Sequence, residues 1–279
     1  MKSIKLPVPF CKMNGAGNDF IVIDHRIPQI PKEMMAEFAR LICRRKFSVG
    51  ADGLFLIEPS LCADFKWRFF NADGSEAEMC GNGARCVARF AFMHGIAGLQ
   101  MRFETLAGII DATVAATEVT ITMTPAHSFR FDLPVEVAGQ PFVVHSVDTG
   151  VPHVVIFVEQ LDAVDVVGLG RQLRHHTLFA PAGTNVNFVE RLDHGFRIRT
   201  YERGVEDETM ACGTGVVAGA LIAAAKGLTD LPVEMVTSGG VALTVECTEG
   251  KRDGVDQVFL KGPAHLIYRG ELTEEALVE

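Results

Sequence analysis

Apolar residues recur along this chain in two rhythms. Short stretches rich in Val, Ile, Thr and Phe, bounded by glycine and proline, predict strands over residues 65–70, 119–123, 142–147, 154–158 and 240–246. Two longer stretches, 84–94 and 216–226, each begin after a Cys-Gly-x-Gly turn, end at glycine, and are apolar almost all round, Arg85 and Arg89 excepted. These predict helices, and a helix without a polar face is a buried one. The pattern as a whole predicts an α+β fold, a mostly antiparallel sheet or barrel curled around a central buried helix.

The pattern also occurs twice. Phe65-Lys66-Trp67-Arg68-Phe69-Phe70 matches Phe196-Arg197-Ile198-Arg199-Thr200-Tyr201 at an offset of 131 (196 − 65). Cys80-Gly81-Asn82-Gly83 matches Cys212-Gly213-Thr214-Gly215 at 132 (212 − 80), and Gly95, Gly108 and Pro125 find later partners in Gly227, Gly240 and Pro263. Earlier, Gly15-Ala16-Gly17-Asn18 aligns with Gly150-Val151-Pro152-His153 at 135 (150 − 15), which sets Asn18 against His153, while Asn71 falls against Glu202. An ordered series of this kind predicts two copies of one fold meeting at a cleft. The expected domains are 1–132 with Cys80 and 133–265 with Cys212, joined near 129–139, with 266–279 packing back on the first.

Composition narrows what such a protein handles. With 48% apolar and 22% charged residues over 279 positions, the chain is globular. A net charge of −9, with lysines and arginines scattered, excludes the electrostatic attraction that nucleic acid or an anionic membrane needs, so a small molecule is the expected partner. The start, Met1-Lys2-Ser3-Ile4-Lys5-Leu6-Pro7, has no apolar stretch behind its lysines, and the longest apolar run, 213–225, is too short to span a bilayer. A cytoplasmic protein is expected. Its seven cysteines form no CxxC pair, which argues for reduced thiols against a disulfide framework or zinc site.

The chemistry follows from where Cys80 and Cys212 stand. A glycine-bracketed turn entering a helix presents unpaired amides and the positive end of the helix dipole. A thiol there ionises more easily than a free one, and the same amides can bind a carboxylate. That combination suits removal of the proton next to a carboxylate, with donors already in place for the developing charge. Inverting the carbon needs a base on one face and an acid on the other, and a duplicated fold supplies two equivalent cysteines. No element of the sequence demands pyridoxal or a metal, so no cofactor is expected. Cys11, Cys43, Cys62, Cys86 and Cys247 are read as small buried hydrophobes.

Several segments together resemble the diaminopimelate epimerase family along essentially the whole chain. They are Lys12-Met13-Asn14-Gly15-Ala16-Gly17-Asn18-Asp19-Phe20, Phe70-Asn71-Ala72-Asp73-Gly74-Ser75, Cys80-Gly81-Asn82-Gly83-Ala84-Arg85-Cys86, Gly183-Thr184-Asn185, Tyr201-Glu202-Arg203-Gly204, and Thr209-Met210-Ala211-Cys212-Gly213-Thr214-Gly215. The resemblance implies a cofactor-independent homodimeric isomerase interconverting LL- and meso-diaminopimelate. Cys212 would take the proton from the LL form and Cys80 return one, with His153 and Glu202 positioning or tuning the thiols. It further implies that Asn18, Asn71, Gly81, Asn82, Asn185, Glu202, Arg203, Gly213 and Thr214 bind substrate. The sequence departs from the family pattern at Val151, where an asparagine is expected, at Gly53, and in the length from Arg203 to Cys212. A related two-cysteine racemase of proline, hydroxyproline or histidine is the alternative.

Overall fold

The computed structural model describes residues 4–248 and 257–278. The opening Met1-Lys2-Ser3 and the last residue of the expected 266–279 segment, Glu279, lie outside them. The described residues form two compact units, the first running to Ile121 and resuming at Pro263, the second comprising Thr122–Gly262. The chain thus divides before residue 132. The expected joint at 129–139 is instead occupied by a strand, whose hairpin partner follows directly in the second unit.

The first unit contains β1 (Val8–Gly15), β2 (Asn18–Asp24), α1 (Met35–Ile42), β3 (Gly53–Glu58), β4 (Phe65–Asn71), α2 (Gly81–Met93), β5 (Gln100–Thr105), β6 (Gly108–Ala115) and most of β7 (Glu118–Met123), which ends in the second. The second contains β8 (His127–Val137), β9 (Gln140–Asp148), β10 (Pro152–Val158), α3 (Val166–Arg174), β11 (Asn185–Arg191), β12 (Phe196–Glu202), β13 (Asp207–Thr209), α4 (Gly213–Ala225), β14 (Val233–Val236), β15 (Ala242–Thr248) and β16 (Gln257–Pro263). The last strand, β17 (His265–Leu272), pairs antiparallel with β1 and completes the first unit.

The two units share one topology. In the first, hydrogen bonding runs β17, β1, β2, β3, β4, β5, β6, β7, antiparallel except for β2 with β3 and β4 with β5. In the second it runs β8, β9, β10, β11, β12, β14, β15, β16, again antiparallel except at the corresponding steps, β10 with β11 and β12 with β14. In the first unit α2 packs on β1, β2, β6 and β17, and in the second α4 packs on β9, β10, β11, β12, β14 and β15. Each sheet therefore curls around one helix, the α+β arrangement expected from the pattern.

Strand periodicity sorts the side chains. Successive residues point to opposite faces, so Ile21, Ile23, Leu54 and Leu56 meet Phe38 and Ile42 of α1 in one core cluster, while Val154, Ile156, Val186, Phe188 and Tyr201 meet Leu173 of α3 in the other. The alternate residues face the central helix. Glycines admit that helix closely: a Cβ on Gly83 would lie 2.2 Å from the Phe55 ring, and one on Gly215 would lie 2.4 Å from Asn187 Oδ1. Both helices start three residues earlier than predicted, because their glycines are the first turn itself. Among the described residues no helix is long and apolar enough to cross a membrane.

Candidate active site

Each of the two cysteines caps its helix. Cys80 is the N-cap of α2, with extended backbone and a sulfur that accepts from the Gly83 amide at 3.4 Å. Cys212 caps α4 in the same extended conformation, buried, with its Sγ 3.4 Å from Thr214 Oγ1. The first intrahelical bonds, Ala84 amide to Cys80 carbonyl at 2.8 Å and Val216 amide to Cys212 carbonyl at 2.9 Å, leave the amides of each first turn with no carbonyl ahead of them in the helix. Gly81 and Gly213 open those turns, so anionic charge can approach the backbone without meeting a side chain.

The other thiols differ. Cys11, Cys43 and Cys86 are buried, and burial pushes Cys43 and Cys86 up to about 12, which keeps them protonated and inert. Cys62 departs from the expected buried role: it is exposed, 3.6 Å from Glu104 Oε2, because the chain after β3 turns out to solvent there. Cys247 is partly exposed.

In the first unit the polar groups form a directed chain. The buried Arg85 guanidinium donates to Asn82 Oδ1 at 2.7 Å, Asn82 Nδ2 to Asn18 Oδ1 at 2.7 Å, and Asn18 Nδ2 to Asp52 Oδ2 at 3.0 Å. A cation at one end and a carboxylate at the other leave both amides only one orientation. Burial pushes the Arg85 pKa down, opposed by the Cys86 and Cys80 thiols and Glu118. Arg45 bridges Asp19 and Asp52 (2.5 and 2.8 Å), and Lys12 meets Asp19 at 2.7 Å. Against its burial, Asp19 is held below the ordinary carboxylate range by Arg45 and Lys12. Asn71 ends β4 with its amide on Ser75 Oγ at 3.0 Å, so in this structure it shapes a turn.

The second unit places His153, Asn185, Asn187, Thr200 and Glu202 at alternating positions of β10, β11 and β12, on the sheet face that α4 covers. Glu202 accepts from Thr209 Oγ1 at 3.0 Å and from the Cys212 thiol. Burial nonetheless raises its carboxyl above the ordinary value. Asn185 Oδ1 accepts from the Arg203 amide at 2.8 Å and its Nδ2 donates to the Pro152 carbonyl at 3.0 Å, while Arg203 Nη1 donates to the Ala182 carbonyl at 3.2 Å. The Thr214 carbonyl accepts from Thr149 Oγ1 at 3.2 Å. Burial, then the nearby Arg203 cation, lowers the His153 pKa to about 3, so the ring is neutral.

Strand register corrects one pairing read from the sequence. Phe20 lies opposite Gly53, and His153 lies opposite Asn185. The counterpart of His153 is therefore Phe20, and that of Asn18 is Val151. Aligning glycines misplaced the pair, since the β1–β2 connection pairs Gly15 with Asn18 around Ala16 and Gly17, whereas β9–β10 pairs Asp148 with Pro152 around Thr149, Gly150 and Val151. Between equivalent pairs, Asn14 with Asp19 and Asp148 with Pro152, the second connection is one residue shorter, which shifts everything after it. Asn71 and Glu202 keep their correspondence at the ends of β4 and β12. Gly53 has no room for a longer residue, since a Cβ there would sit 2.6 Å from the Phe69 ring.

The sequence reading gave no role to Arg85, Asp52, Asn187 or Thr200. The signal for the last two was present, because Asn187 and Thr200 stand where the first half has Phe55 and Phe69 (187 − 55 = 132; 200 − 69 = 131). A surface cavity of about 530 Å³ in the second unit, lined by Arg197, Arg199, Glu208 and Ser238 among others, includes neither Cys212 nor Glu202. Its arginines are already paired with Asp162 and Glu208.

Residues 10–128 and 145–267 match the family described as diaminopimelate epimerase. The chain is 46% identical to the diaminopimelate epimerase of Hydrogenobaculum sp., over 95% of this chain and 98% of that one, and 44% identical to that of Aquifex aeolicus, over 96% and 99%. That of Archaeoglobus fulgidus is 43% identical over 95% and 96%. Among solved structures, a probable proline racemase from Agrobacterium radiobacter superposes with a TM-score of 0.71 at 17% identity, covering 96% of this chain and 93% of that one. A Bacillus anthracis phenazine biosynthesis protein superposes at 0.73, also at 17% identity, covering 96% and 100%. At such identity these two share the fold alone.

Proposed function

Because the chain belongs to the diaminopimelate epimerase family, we propose that it is an isomerase interconverting LL- and meso-diaminopimelate by two-thiol proton transfer, with no cofactor. The observation that carries this reading is that Cys80 and Cys212, at equivalent places in two copies of one fold, each cap a helix whose first turn is glycine-opened.

In the LL-to-meso direction Cys212 acts as thiolate and takes the α-proton, while the Cys80 thiol delivers a proton to the opposite face; the reverse reaction exchanges the roles. Charge that develops on the substrate carboxylate is met by the first-turn amides around Gly81, Asn82, Gly213 and Thr214. Glu202, hydrogen-bonded to the Cys212 thiol, is placed to accept its proton before turnover. Asn18, Asn71, Asn82, Asn185 and Arg203 orient the substrate's amino and carboxylate groups, Arg203 offering a two-pronged donor. His153 acts on the Cys212 side. A lysine-biosynthetic role in the cytoplasm, where thiols stay reduced, and a homodimer complete the reading, the latter measurable as solution mass.

The experiment is incubation in deuterated water with LL-diaminopimelate and, separately, with proline and hydroxyproline. Wild-type protein should place deuterium at the α-carbon of diaminopimelate, and Cys80→Ala or Cys212→Ala should each lower epimerisation by more than about 1000-fold. Full activity in either variant rejects the two-thiol mechanism, and labelling of proline alone rejects the substrate.

A further inference from the structure

Beneath the first turn of α4 lies a buried polar layer whose hydrogen atoms can be assigned without ambiguity. Asn187 and His153 are completely or almost completely buried. Thr200 Oγ1 donates to Asn187 Oδ1 at 3.0 Å, Asn187 Nδ2 donates to the Val154 carbonyl at 2.7 Å, and the same Nδ2 lies 3.1 Å from His153 Nδ1. A backbone carbonyl only accepts, so the Asn187 atom facing Val154 is the amino group and the one facing Thr200 is the oxygen. Of the two amino hydrogens, one goes to Val154 and the other to His153 Nδ1, which must therefore offer a lone pair. A neutral imidazole carries one proton, and it is left on Nε2.

We propose that Asn187 and Thr200 are positioning residues that lock His153 as the neutral Nε2–H tautomer, a hydrogen-bond donor and not a proton acceptor, at the start of α4. Protonating Nδ1 would set two N–H groups against each other. Turning the Asn187 amide to relieve that would face its oxygen to the Val154 carbonyl. Either arrangement buries an uncompensated polar clash.

The lock touches the Cys212 turn directly. A Cβ at Gly215 would meet Asn187 Oδ1 at 2.4 Å, Thr200 Oγ1 at 3.2 Å and Cys212 Cβ at 3.3 Å, so the helix start, the cysteine and the layer crowd one point. His153 Nε2 is itself buried and finds no hydrogen-bond partner among the described residues. Its proton is available to an anion in the site, either the Cys212 thiolate or a carboxylate of the substrate. Glu202 then remains the group that can take a proton from Cys212. Resting on the proposed two-thiol reaction, this divides the auxiliary work: Glu202 accepts and His153 donates.

The test is nitrogen NMR of the full chain labelled at histidine, without substrate, the His153 signal being identified by its loss in His153→Gln. The expected spectrum shows a neutral ring with Nε2 protonated and Nδ1 bare from about pH 5 to 8, where a free imidazole titrates; an Nδ1–H tautomer or an imidazolium in that range overturns the proposal. Asn187→Asp, whose carboxylate accepts from Nδ1–H, should flip the tautomer and lower kcat roughly 100-fold with KM little changed. Thr200→Val should weaken the lock, and Thr200→Ser should restore both tautomer and kcat. Loss of kcat with the tautomer unmoved, or a flipped tautomer with wild-type kcat, also overturns it. Should Asn187→Asp not fold, the wild-type spectrum and the Thr200 pair still decide. Since that spectrum needs no turnover, absence of epimerisation would count against the proposed function and leave the lock standing.

Discussion

Under α2 the three sheet positions that support the cysteine helix are Phe20, Phe55 and Phe69; under α4 their counterparts are His153, Asn187 and Thr200. The strand order is the same in both units, down to which strand pairs are parallel. The aromatic layer is packed ring on ring, Phe55 and Phe69 stacked at 4.4 Å and Phe20 edge-on to Phe55 at 5.2 Å. Such a layer holds a helix by contact alone. The polar layer holds its helix and also assigns protons, because every hydrogen bond in it has a direction. On the helices the contrast reverses: α2 carries the buried Arg85 where α4 has Val217. Each cysteine helix thus combines one charged or polar neighbourhood with one apolar one, and the two units assign them oppositely.

The comparison can be broken most forcefully at Phe55. If the aromatic layer carries α2 by packing, Phe55→Ala should cost about 3–5 kcal/mol, read as a shift in the urea midpoint; a cost under about 1 kcal/mol would mean α2 is held otherwise. Smaller effects are expected from the glycines that let each helix approach its layer. Gly83→Ala and Gly215→Ala should each destabilise by about 1–3 kcal/mol, because the added methyl meets the Phe55 ring or the Asn187 oxygen. Equal stability in both variants would show that the layers yield, contrary to close packing.

A further effect separates the layers by charge. Folded His153 stays neutral to about pH 3, whereas in the unfolded chain it protonates near its ordinary value of 6.5. Between these values the unfolded state binds more protons, so stability falls as pH drops through that window, approaching about 1.4 kcal/mol per pH unit from this group. His153→Gln should flatten that part of the acid limb in equilibrium unfolding. Phe20, the counterpart, has nothing to titrate, so Phe20→Leu should leave the limb's slope unchanged.

Much of this was legible in the chain itself. The spacing of Cys80 and Cys212 and the apolar stretches behind them are local features: a glycine turn and an all-apolar helix look alike wherever they occur, so the repeat, the fold class and the two capped cysteines could be read directly. Asn18, Asn82 and Arg203 were visible as motif residues, but not what holds them. Asp52 carries no local mark, and Arg85, visible as a charge on an apolar helix, gives no sign of its partners, since their meaning lies in a chain of contacts from Arg85 to Asn82, Asn18 and Asp52 across residues far apart in sequence.

What the sequence alone determined, then, is everything set by periodicity and by residues near one another along the chain: two copies of a fold, two helix starts and two thiols. The tertiary structure decided which residue faces which. It moved the counterpart of His153 from Asn18 to Phe20, because strand pairing counts residues across a sheet and a single extra loop residue is invisible to that count until the strands are paired. It also decided where the His153 proton sits, because hydrogen-bond direction belongs to the set of neighbours that folding assembles and to no residue on its own.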